Sequence, residues 1–289
     1  MADSSEPPDH DLPSPGTRPA GQGRIRAWVS WSTGKDSAYA LHLAQQDRRV
    51  EVRGLFTTVD EDTGTVAYNG VPVSLAQAQA DALGLPLYLL SVPAACPARH
   101  REALRRAVLA REAVPEGIET MIFGDAGGTD IRSGRAARLA GLGIDAVFPL
   151  WGMDTRRLCR DILTAGIRAI ITRVDPCALD ACWAGRVFGE SFIESLGEDA
   201  DPCGENGEFH TFACRSPDFA YAIPVVLERV TRREGSVYAE IVPASGLGGG
   251  APAGIRARSP RCCHGGCPAS RSGSRRPGSA RGASATGPA

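Results

Sequence analysis

Short apolar runs alternate with amphipathic stretches between residues 25 and 174, and this alternation limits the fold more than any other feature of the chain. The predicted strands are Ile25–Ser30, Val50–Thr57, Pro86–Val92, Met121–Gly124, Ala146–Leu150 and Ala169–Val174. The predicted helices are Ser37–Gln46, Ser74–Leu83, Pro97–Ala113, Asp130–Ala140 and Asp154–Ala165. Strands and helices that take turns at this spacing predict an α/β fold with a doubly wound parallel sheet.

The alternation ends near residue 175, and the rest of the chain has a different pattern. One short helical stretch, Arg186–Leu196, is followed by two predicted strands, Ala222–Val230 and Ser236–Val242. We therefore predict an α/β domain over residues 24–150 and a smaller α+β lobe over residues 151–245. Residues 1–23 and 246–289 are dominated by Gly, Pro, Ser, Ala and Arg, a composition that predicts disorder.

Composition limits the location and partners of the protein. No stretch reaches the roughly 20 consecutive apolar residues of a membrane span, and the first 20 residues have no export signal, so we expect a soluble cytoplasmic protein. The C-terminal tail is basic while the middle of the chain is mildly acidic, which argues against broad nucleic-acid binding. The nine cysteines are scattered along a large chain, and we expect mostly reduced thiols.

The segment WVSWSTGKDS, residues 28–37, joins the first predicted strand to the first predicted helix. A strand, a tight glycine turn and a helix N-terminus together form an anion cradle, because unpaired N–H groups and the helix dipole face the ligand. The segment does not fit the Walker loop. Val29 stands where the first glycine of that loop belongs, and Asp36 stands where its magnesium-binding hydroxyl belongs.

Lys35 in this segment is the only lysine among the 289 residues. Arginine is a wide planar fork, whereas lysine is a compact point charge that fits between phosphate oxygens in a tight turn. This difference gives a physical reason for a lysine at this one position. The alternative interpretation is an ordinary capped turn between a strand and a helix.

The six residues STGKDS resemble the pyrophosphate loop, Ser-Gly-Gly-Lys-Asp-Ser, of the N-type ATP pyrophosphatases (PP-loop superfamily) at five positions. Thr33 stands at the first glycine of that pattern. The resemblance implies an enzyme that splits ATP between its α and β phosphates, giving AMP and pyrophosphate. It also implies an adenine nucleotide alpha hydrolase-like fold.

A second polar cluster, DPCGENGEFHTF, occupies residues 201–212. By composition it is compatible with a surface hairpin, since Glu-Asn-Gly-Glu is good turn chemistry. It also resembles the C-terminal signature of the diphthine–ammonia ligase (diphthamide synthase) family, in the form of a bacterial branch. Further similar segments are MIFGD, FPLWGMDTRRL and LDACWAGRVF, and the resemblance covers roughly residues 25–243.

The resemblance implies an ATP-dependent amide ligase that adenylates a carboxylate and transfers ammonia to it, with ATP and Mg²⁺ as cofactors. The acceptor is expected to be a small-molecule or protein carboxylate. Doubly wound sheets bind ligands at the carboxyl ends of their strands, which adds Asp60 and Asp125 to the candidates. The candidate nucleotide-binding residues are Ser32, Thr33, Gly34, Lys35, Asp36, Ser37, Asp60 and Asp125.

The candidate catalytic residues are Lys35, Glu205, Asn206, Glu208, His210 and Thr211. All but Lys35 are expected to line the acceptor side of the site. We expect His210 to have a pKa suited to proton transfer near neutrality and Glu208 to accept a proton from ammonium. Asp36 is the candidate ligand for Mg²⁺.

Two other functions stay open on the sequence. One is a tRNA-modifying enzyme of the PP-loop type, against which the acidic middle of the chain argues. The other is a protein that binds or hydrolyses adenine nucleotides without ligation, which would have no need of the cluster at residues 205–211. A homo-oligomer is compatible with either function and with the ligase.

Overall fold

Two sheets, each formed by a different part of the chain, organise the protein. The computed structural model describes residues 23–197 and 199–244. The segments predicted to be disordered, 1–23 and 246–289, lie outside these ranges except for residue 23. The described residues all belong to one compact unit, and the predicted domain division at residue 150 stays a prediction.

The first sheet is built from the N-terminal part of the chain. Its strands are β1 (Ile25–Ser30), β2 (Val50–Asp60), β3 (Thr65–Val66), β4 (Leu87–Val92), β5 (Thr120–Ile122) and β6 (Asp145–Val147). Five of them are parallel in the order β4-β2-β1-β5-β6, and the short β3 is antiparallel to the end of β2. The predicted doubly wound parallel sheet is confirmed, and its strand order turns back between β1 and β5.

Helices cover both faces of this sheet. They are α1 (Lys35–Gln46), α2 (Val73–Leu83), α3 (Ala98–Val108), α4 (Thr129–Leu139) and α5 (Thr155–Thr164). Buried residues of α1, α2 and α5 pack in one core with the second sheet. A separate core, under α3 and α4, is centred on Trp28, Met121 and Phe148. The carboxyl ends of β1 and β5 therefore lie between the layer that contains α1, α2 and α5 and the layer that contains α3 and α4.

The second sheet is antiparallel and forms the smaller α+β lobe. Its strands are β7 (Arg168–Val174), β8 (Val187–Phe188), β9 (Phe209–Arg215), β10 (Val225–Arg233) and β11 (Ser236–Pro243), and α6 (Glu190–Ser195) follows β8. The order is β10-β11-β7-β8, with β9 also paired to β7. The apolar run at residues 169–174, which continues the alternation in the sequence, thus lies at the centre of the second sheet.

The short strand β3 of the first sheet has no counterpart in the sequence prediction, and two elements of the second lobe also differ from it. The predicted helix Arg186–Leu196 is wrong in its first half, because Phe188 pairs with Ala169 in a strand and is buried there. Strand β9 has no counterpart in the prediction, since it is buried on both faces and lacks the alternation that marks a half-exposed strand.

The predicted helix Pro97–Ala113 is present as α3, with a last turn of π-helix at Leu109–Ala113. Within the described ranges, no helix combines the length and the apolar character needed to cross a membrane.

Candidate active site

The turn after β1 carries the predicted loop and leads directly into α1. Ser32 Oγ donates to Ser37 Oγ at 3.1 Å and accepts from the Gly34 N–H at 3.3 Å, which closes the turn on itself. Gly34 stands at the N-cap of α1 and has no side chain with which to cap it. The Lys35 N–H at the N-terminus of α1 donates instead to the Thr211 hydroxyl, and the loop and the first turn of α1 line the cavity beside them, as expected of an anion cradle.

Two glycines allow the elements around this turn to approach each other closely. A Cβ on Gly34 would lie 3.1 Å from the Thr211 carbonyl oxygen in β9. A Cβ on Gly124, just after β5, would lie 2.8 Å from the backbone of Asp36 and of Ser37. The approach at Gly124 is closer than a Cβ allows, and at Gly34 a Cβ would fit only if β9 moved by a few tenths of an ångström.

The ammonium group of Lys35 is buried between the loop and the second sheet. Nζ donates to the two Asp36 oxygens at 2.8 and 2.9 Å and to the Cys203 carbonyl at 2.6 Å. The rings of Phe188 and Phe209 lie 5.3 and 5.1 Å from Nζ, within cation–π range. Burial lowers the pKa of Lys35, but the Asp36 carboxylate outweighs it and holds the pKa above its ordinary value. The lysine is charged at neutral pH.

A cavity of about 220 Å³, here called the loop cavity, opens in front of the turn. The loop and the first turn of α1 form one side of it, and residues of the second lobe form the other. The sequence candidates that line it are Ser32, Gly34, Lys35, Asp36, Ser37, Asp125, Glu205, His210 and Thr211. The structure therefore brings together residues more than 170 positions apart in the chain.

A second cavity of about 140 Å³, here called the arginine cavity, adjoins the loop cavity. The two share Ser30, Ser32, Ala67, Tyr68, Phe123 and Arg135. Its floor is formed by buried apolar side chains of β2, of β5 and of the residue that follows β5, namely Phe56, Met121 and Phe123. Four arginines of α3 and α4 surround it, namely Arg101, Arg105, Arg135 and Arg138, and no acidic side chain is among its lining residues in the described ranges.

Glu205 reaches from the second lobe across the loop cavity to the turn before α4. Its Oε2 accepts from the N–H groups of Ala126 and Gly127 at 3.0 and 3.1 Å. Burial, together with the nearby Asp36 carboxylate, raises the pKa of Glu205 to about 7. A carboxyl group in this position exchanges a proton readily near neutral pH.

His210 and Thr211 lie on β9 where this strand passes the loop. The Thr211 hydroxyl accepts from the Lys35 N–H at 3.1 Å, so it supports the first turn of α1. Burial and the positive charges of Arg173 and Lys35 lower the pKa of His210 to about 4. The expectation of a histidine that titrates near neutrality is therefore wrong, because His210 is neutral at pH 7.

Four sequence candidates are not among the residues that line the loop cavity, namely Thr33, Asp60, Asn206 and Glu208. Thr33 is fully buried in the turn. Glu208 is buried and accepts from the Asp201 and Asn206 N–H groups at 3.0 Å each, so it holds the turn at residues 201–208 together. Asn206 donates its side-chain amide to the same carboxylate. Asp60 lies four residues beyond Phe56, the partner of the last residue of β1, and accepts from the Asp62 N–H.

Among the described residues of the first sheet and its helices and loops, Asp36 and Asp125 are the carboxylates that line the loop cavity. Asp36 pairs with Lys35, and Asp125 accepts from Arg135 at 3.2 Å. The described residues contain no group of three or more metal-ligating side chains. Mg²⁺ commonly takes only one or two carboxylates and completes its shell with phosphate oxygens and water, so this pair fits a nucleotide-bound magnesium ion.

Asn69 and Gln79 also contact the loop, and neither is a candidate from the sequence. Gln79 lies in α2 and is fully buried, and Asn69 precedes α2 and lines the loop cavity. Both donate side-chain hydrogen bonds to backbone carbonyls of the loop. Gln79 is the polar member of a helix face whose other buried residues are apolar, and this pattern is a signal that could have identified it.

Six cysteines fall in the described ranges, and none of these six is in a disulfide. The Cys159 and Cys203 sulfurs lie 2.9 Å apart in the core, and the hydrogen bond between them and burial raise the pKa of Cys203. Cys177 and Cys182 are exposed, away from this pair.

The strand order, the strand-loop-helix cradle at the turning point of the sheet and the second lobe that closes over it define a PP-loop protein of the adenine nucleotide alpha hydrolase-like fold. Sequence models of the diphthamide synthase N-terminal and C-terminal domains match residues 25–125 and 154–244. Since the two matches cover well over half of the chain, the protein belongs to the diphthamide synthase family. Its place in a bacterial branch of that family stays a prediction.

A comparison with solved structures finds the U34-tRNA thiolase NcsA from Methanococcus maripaludis, solved with its 4Fe-4S cluster. The two chains are 15% identical, with a TM-score of 0.34, and the match covers 50% of this chain and 58% of the thiolase chain. A comparison with curated proteins finds no match.

Proposed function

We propose that this protein is an ATP-dependent amide ligase that adenylates a carboxylate, releases pyrophosphate and transfers ammonia to the activated acyl group. The observation that carries the proposal is the position of Glu205. A carboxyl group with a pKa of about 7 lines the same cavity as an anion-binding loop. One site thus combines a cradle for phosphates with a group that can accept a proton from an incoming amine.

The loop and α1 are the proposed binding site for the β and γ phosphates of ATP. The N-terminus of α1, the hydroxyl groups of Ser32 and Ser37, and the charge of Lys35 would stabilise the negative charge that grows on pyrophosphate as it leaves. Asp36 and Asp125 would hold Mg²⁺ together with phosphate oxygens. The magnesium ion would neutralise charge on the leaving group.

The arginine cavity is the proposed site of the nucleoside. Its floor of Phe56, Met121 and Phe123 offers apolar contact to a purine, and the guanidinium groups at its rim can stack on the base or meet the α phosphate. The cavity adjoins the loop cavity at Ser32, so a nucleotide can reach from one to the other.

Glu205 is the proposed proton acceptor in the second half-reaction. In the first half-reaction, an oxygen of the acceptor carboxylate would bond to the α phosphorus as the bond to the β-phosphate oxygen breaks. In the second, nitrogen would bond to the acyl carbon as the bond to AMP breaks, and Glu205 would take the proton that the nitrogen loses. His210 would stay neutral and serve as a hydrogen-bonding group.

The test is a product analysis with ATP, Mg²⁺ and ¹⁵N-ammonium, in the presence of either a small-molecule or a protein fraction of cell extract. We expect AMP, pyrophosphate and a ¹⁵N-labelled amide in one of the two fractions. Formation of ADP would contradict the pyrophosphatase assignment. AMP without a labelled amide would favour nucleotide hydrolysis. A labelled or modified tRNA, in a parallel reaction with the RNA fraction of the extract, would favour the tRNA-modifying alternative.

Substitution of Glu205 separates the two half-reactions. In Glu205→Gln we expect exchange of pyrophosphate into ATP to persist in the acceptor fraction, since the amide oxygen can still accept from the Ala126 and Gly127 N–H groups. Amide formation should fall by about tenfold or more, because the proton acceptor is lost. The matched control is Glu194→Gln, which changes an exposed carboxylate on α6 and should leave both activities unchanged.

A further inference from the structure

Thr33 is held in a backbone conformation that its side chain disfavours. Its φ is 70°, in the left-handed region, which glycine adopts freely and a β-branched residue adopts only under constraint. Thr33 is also fully buried, so neighbouring groups impose this conformation. The Ala213 N–H contributes by donating to the Thr33 carbonyl at 2.8 Å. The other contacts come from Gln79 and Asn69.

Gln79 binds the loop through an amide group whose orientation is fixed by its partners. Nε2 donates to the carbonyls of Thr33 and Ala213 at 3.0 and 2.7 Å, and Oε1 accepts from the Trp31 indole N–H at 2.8 Å. The indole can only donate and the carbonyls can only accept, so only one orientation of the amide satisfies all three. Gln79 thus joins the end of β1, the loop and β9.

Asn69 makes the equivalent contacts one residue earlier in the loop. Nδ2 donates to the carbonyls of Ser32 and Thr211 at 2.6 and 3.1 Å, and lies 3.4 Å from Thr33 Oγ1. The residue is buried, with 4% of its surface exposed. Two side-chain amides therefore hold two consecutive loop carbonyls against the strand that carries His210.

These contacts decide the direction in which the loop N–H groups point. The C=O and N–H groups of a trans peptide point in opposite directions. Because the Thr33 carbonyl is held toward Gln79 and Ala213, the Gly34 N–H points to the opposite side of the loop. The Gly34 N–H accordingly meets Ser32 Oγ, and both residues line the loop cavity.

We propose that Asn69 and Gln79 are positioning residues for the nucleotide, which act by holding Thr33 at positive φ so that the Gly34 N–H, at the N-cap of α1, faces the loop cavity. The inference rests on the proposed function, because it takes the loop as the triphosphate site. Its distinctive consequence is that the need for both amides disappears when residue 33 is a glycine, since glycine adopts positive φ without support.

The test is a pair of double-mutant cycles, with Asn69→Ala and Gln79→Met each made alone and together with Thr33→Gly. Binding of α,β-methylene ATP with Mg²⁺ is measured by calorimetry, and unfolding by urea is measured on the same proteins. We expect each single amide variant to bind about tenfold more weakly than the unmodified protein or worse, and Thr33→Gly serves as the reference of each cycle. Both double variants should bind like Thr33→Gly.

A purely structural role of the amides predicts a different result. In that case Thr33→Gly would leave the binding defect of either amide variant in place, or the amide variants would bind normally, and the proposal would be overturned. If Gln79→Met does not fold, the Asn69 cycle decides, since Asn69 lines an open cavity.

A readout that needs no nucleotide separates this inference from the proposed function. Amide hydrogen exchange in a peptide spanning residues 31–38 should be faster in the single amide variants and restored in the double variants. If the unmodified protein does not bind the analogue, the assignment of the loop to ATP fails, while exchange still decides whether the amides position the loop. Exchange that is unchanged in the single variants would overturn the positioning role.

Discussion

Substitution of Gly124 by alanine tests whether β5 and α1 must approach each other as closely as the structure shows. The added Cβ would lie 2.8 Å from the Asp36 carbonyl carbon and from the Ser37 nitrogen, and 2.9 Å from the Asp36 oxygen. All three are backbone atoms, which cannot rotate away as a flexible side chain can. Ordinary contacts of a methyl group begin near 3.4 Å, so β5 and the first turn of α1 have to separate by roughly half an ångström.

Gly124 does not have a positive φ, so the cost of Gly124→Ala comes from this contact alone. Overpacking of this kind costs about 1–3 kcal/mol, and the lower entropy of the unfolded alanine chain offsets roughly 0.5 kcal/mol of it. We expect a net loss of about 1–2 kcal/mol in the free energy of unfolding. Because the displaced turn is the proposed phosphate cradle, α,β-methylene ATP should bind about tenfold more weakly.

Urea unfolding and calorimetric binding measure the two effects of Gly124→Ala. The matched control is Gly134→Ala in the interior of α4, where an added Cβ has no neighbour within 4 Å. This control should be stabilised by about 0.5–1 kcal/mol and should bind the analogue normally. A Gly124→Ala protein with unchanged stability and unchanged affinity would refute the close approach of β5 to α1.

Three further substitutions test the charged groups of the site. Lys35→Arg places a wider cation in the buried space between Phe188 and Phe209. It should lower the free energy of unfolding in urea by about 1–3 kcal/mol and remove most of the turnover. Wild-type values of both quantities would contradict the point-charge argument. Glu205 has a folded-state pKa of about 7, above its ordinary value of 4.5, so the folded protein binds the extra proton and its stability falls as pH rises from 4.5 to 7. Glu205→Gln should remove this fall, on the order of 2–3 kcal/mol, and parallel pH–stability curves for the two proteins would count against it. His210 has a folded-state pKa of about 4, below its ordinary value of 6.5, so its contribution to stability is lost as pH falls from 6.5 to 4. His210→Gln should lose less stability than the unmodified protein over that range in acid titrations followed by circular dichroism.

Local sequence patterns predicted most of the first sheet. β1 has the predicted bounds, and α1 and α2 begin within two residues of their predicted first residues. These bounds are predictable because periodicity and turn residues act over a few positions. The second lobe was harder to predict. Phe188 lies in a strand because it pairs with β7, and β9 is buried on both faces, so neither leaves a clear period in the sequence.

The outcome for Asp60 shows why strand ends are uncertain from sequence. Asp60, expected to follow the predicted strand Val50–Thr57, is the last residue of β2. However, the last residue of β1 pairs with Phe56, and the four residues that follow carry Asp60 roughly 13 Å farther along the strand. Position at the end of a strand is a local property, whereas alignment with the ends of neighbouring strands depends on register.

The sequence by itself determined the parallel α/β architecture, the glycine loop with its single lysine, and the family to which the chain belongs, because these depend on short contiguous segments. Only the tertiary structure decided which polar residues of residues 201–211 reach the loop cavity. It also decided that Glu205, and not His210, titrates near neutral pH, because burial and neighbouring charges set a pKa. The support of Thr33 by Asn69 and Gln79 likewise required the fold, since those amides join elements that are distant in the chain.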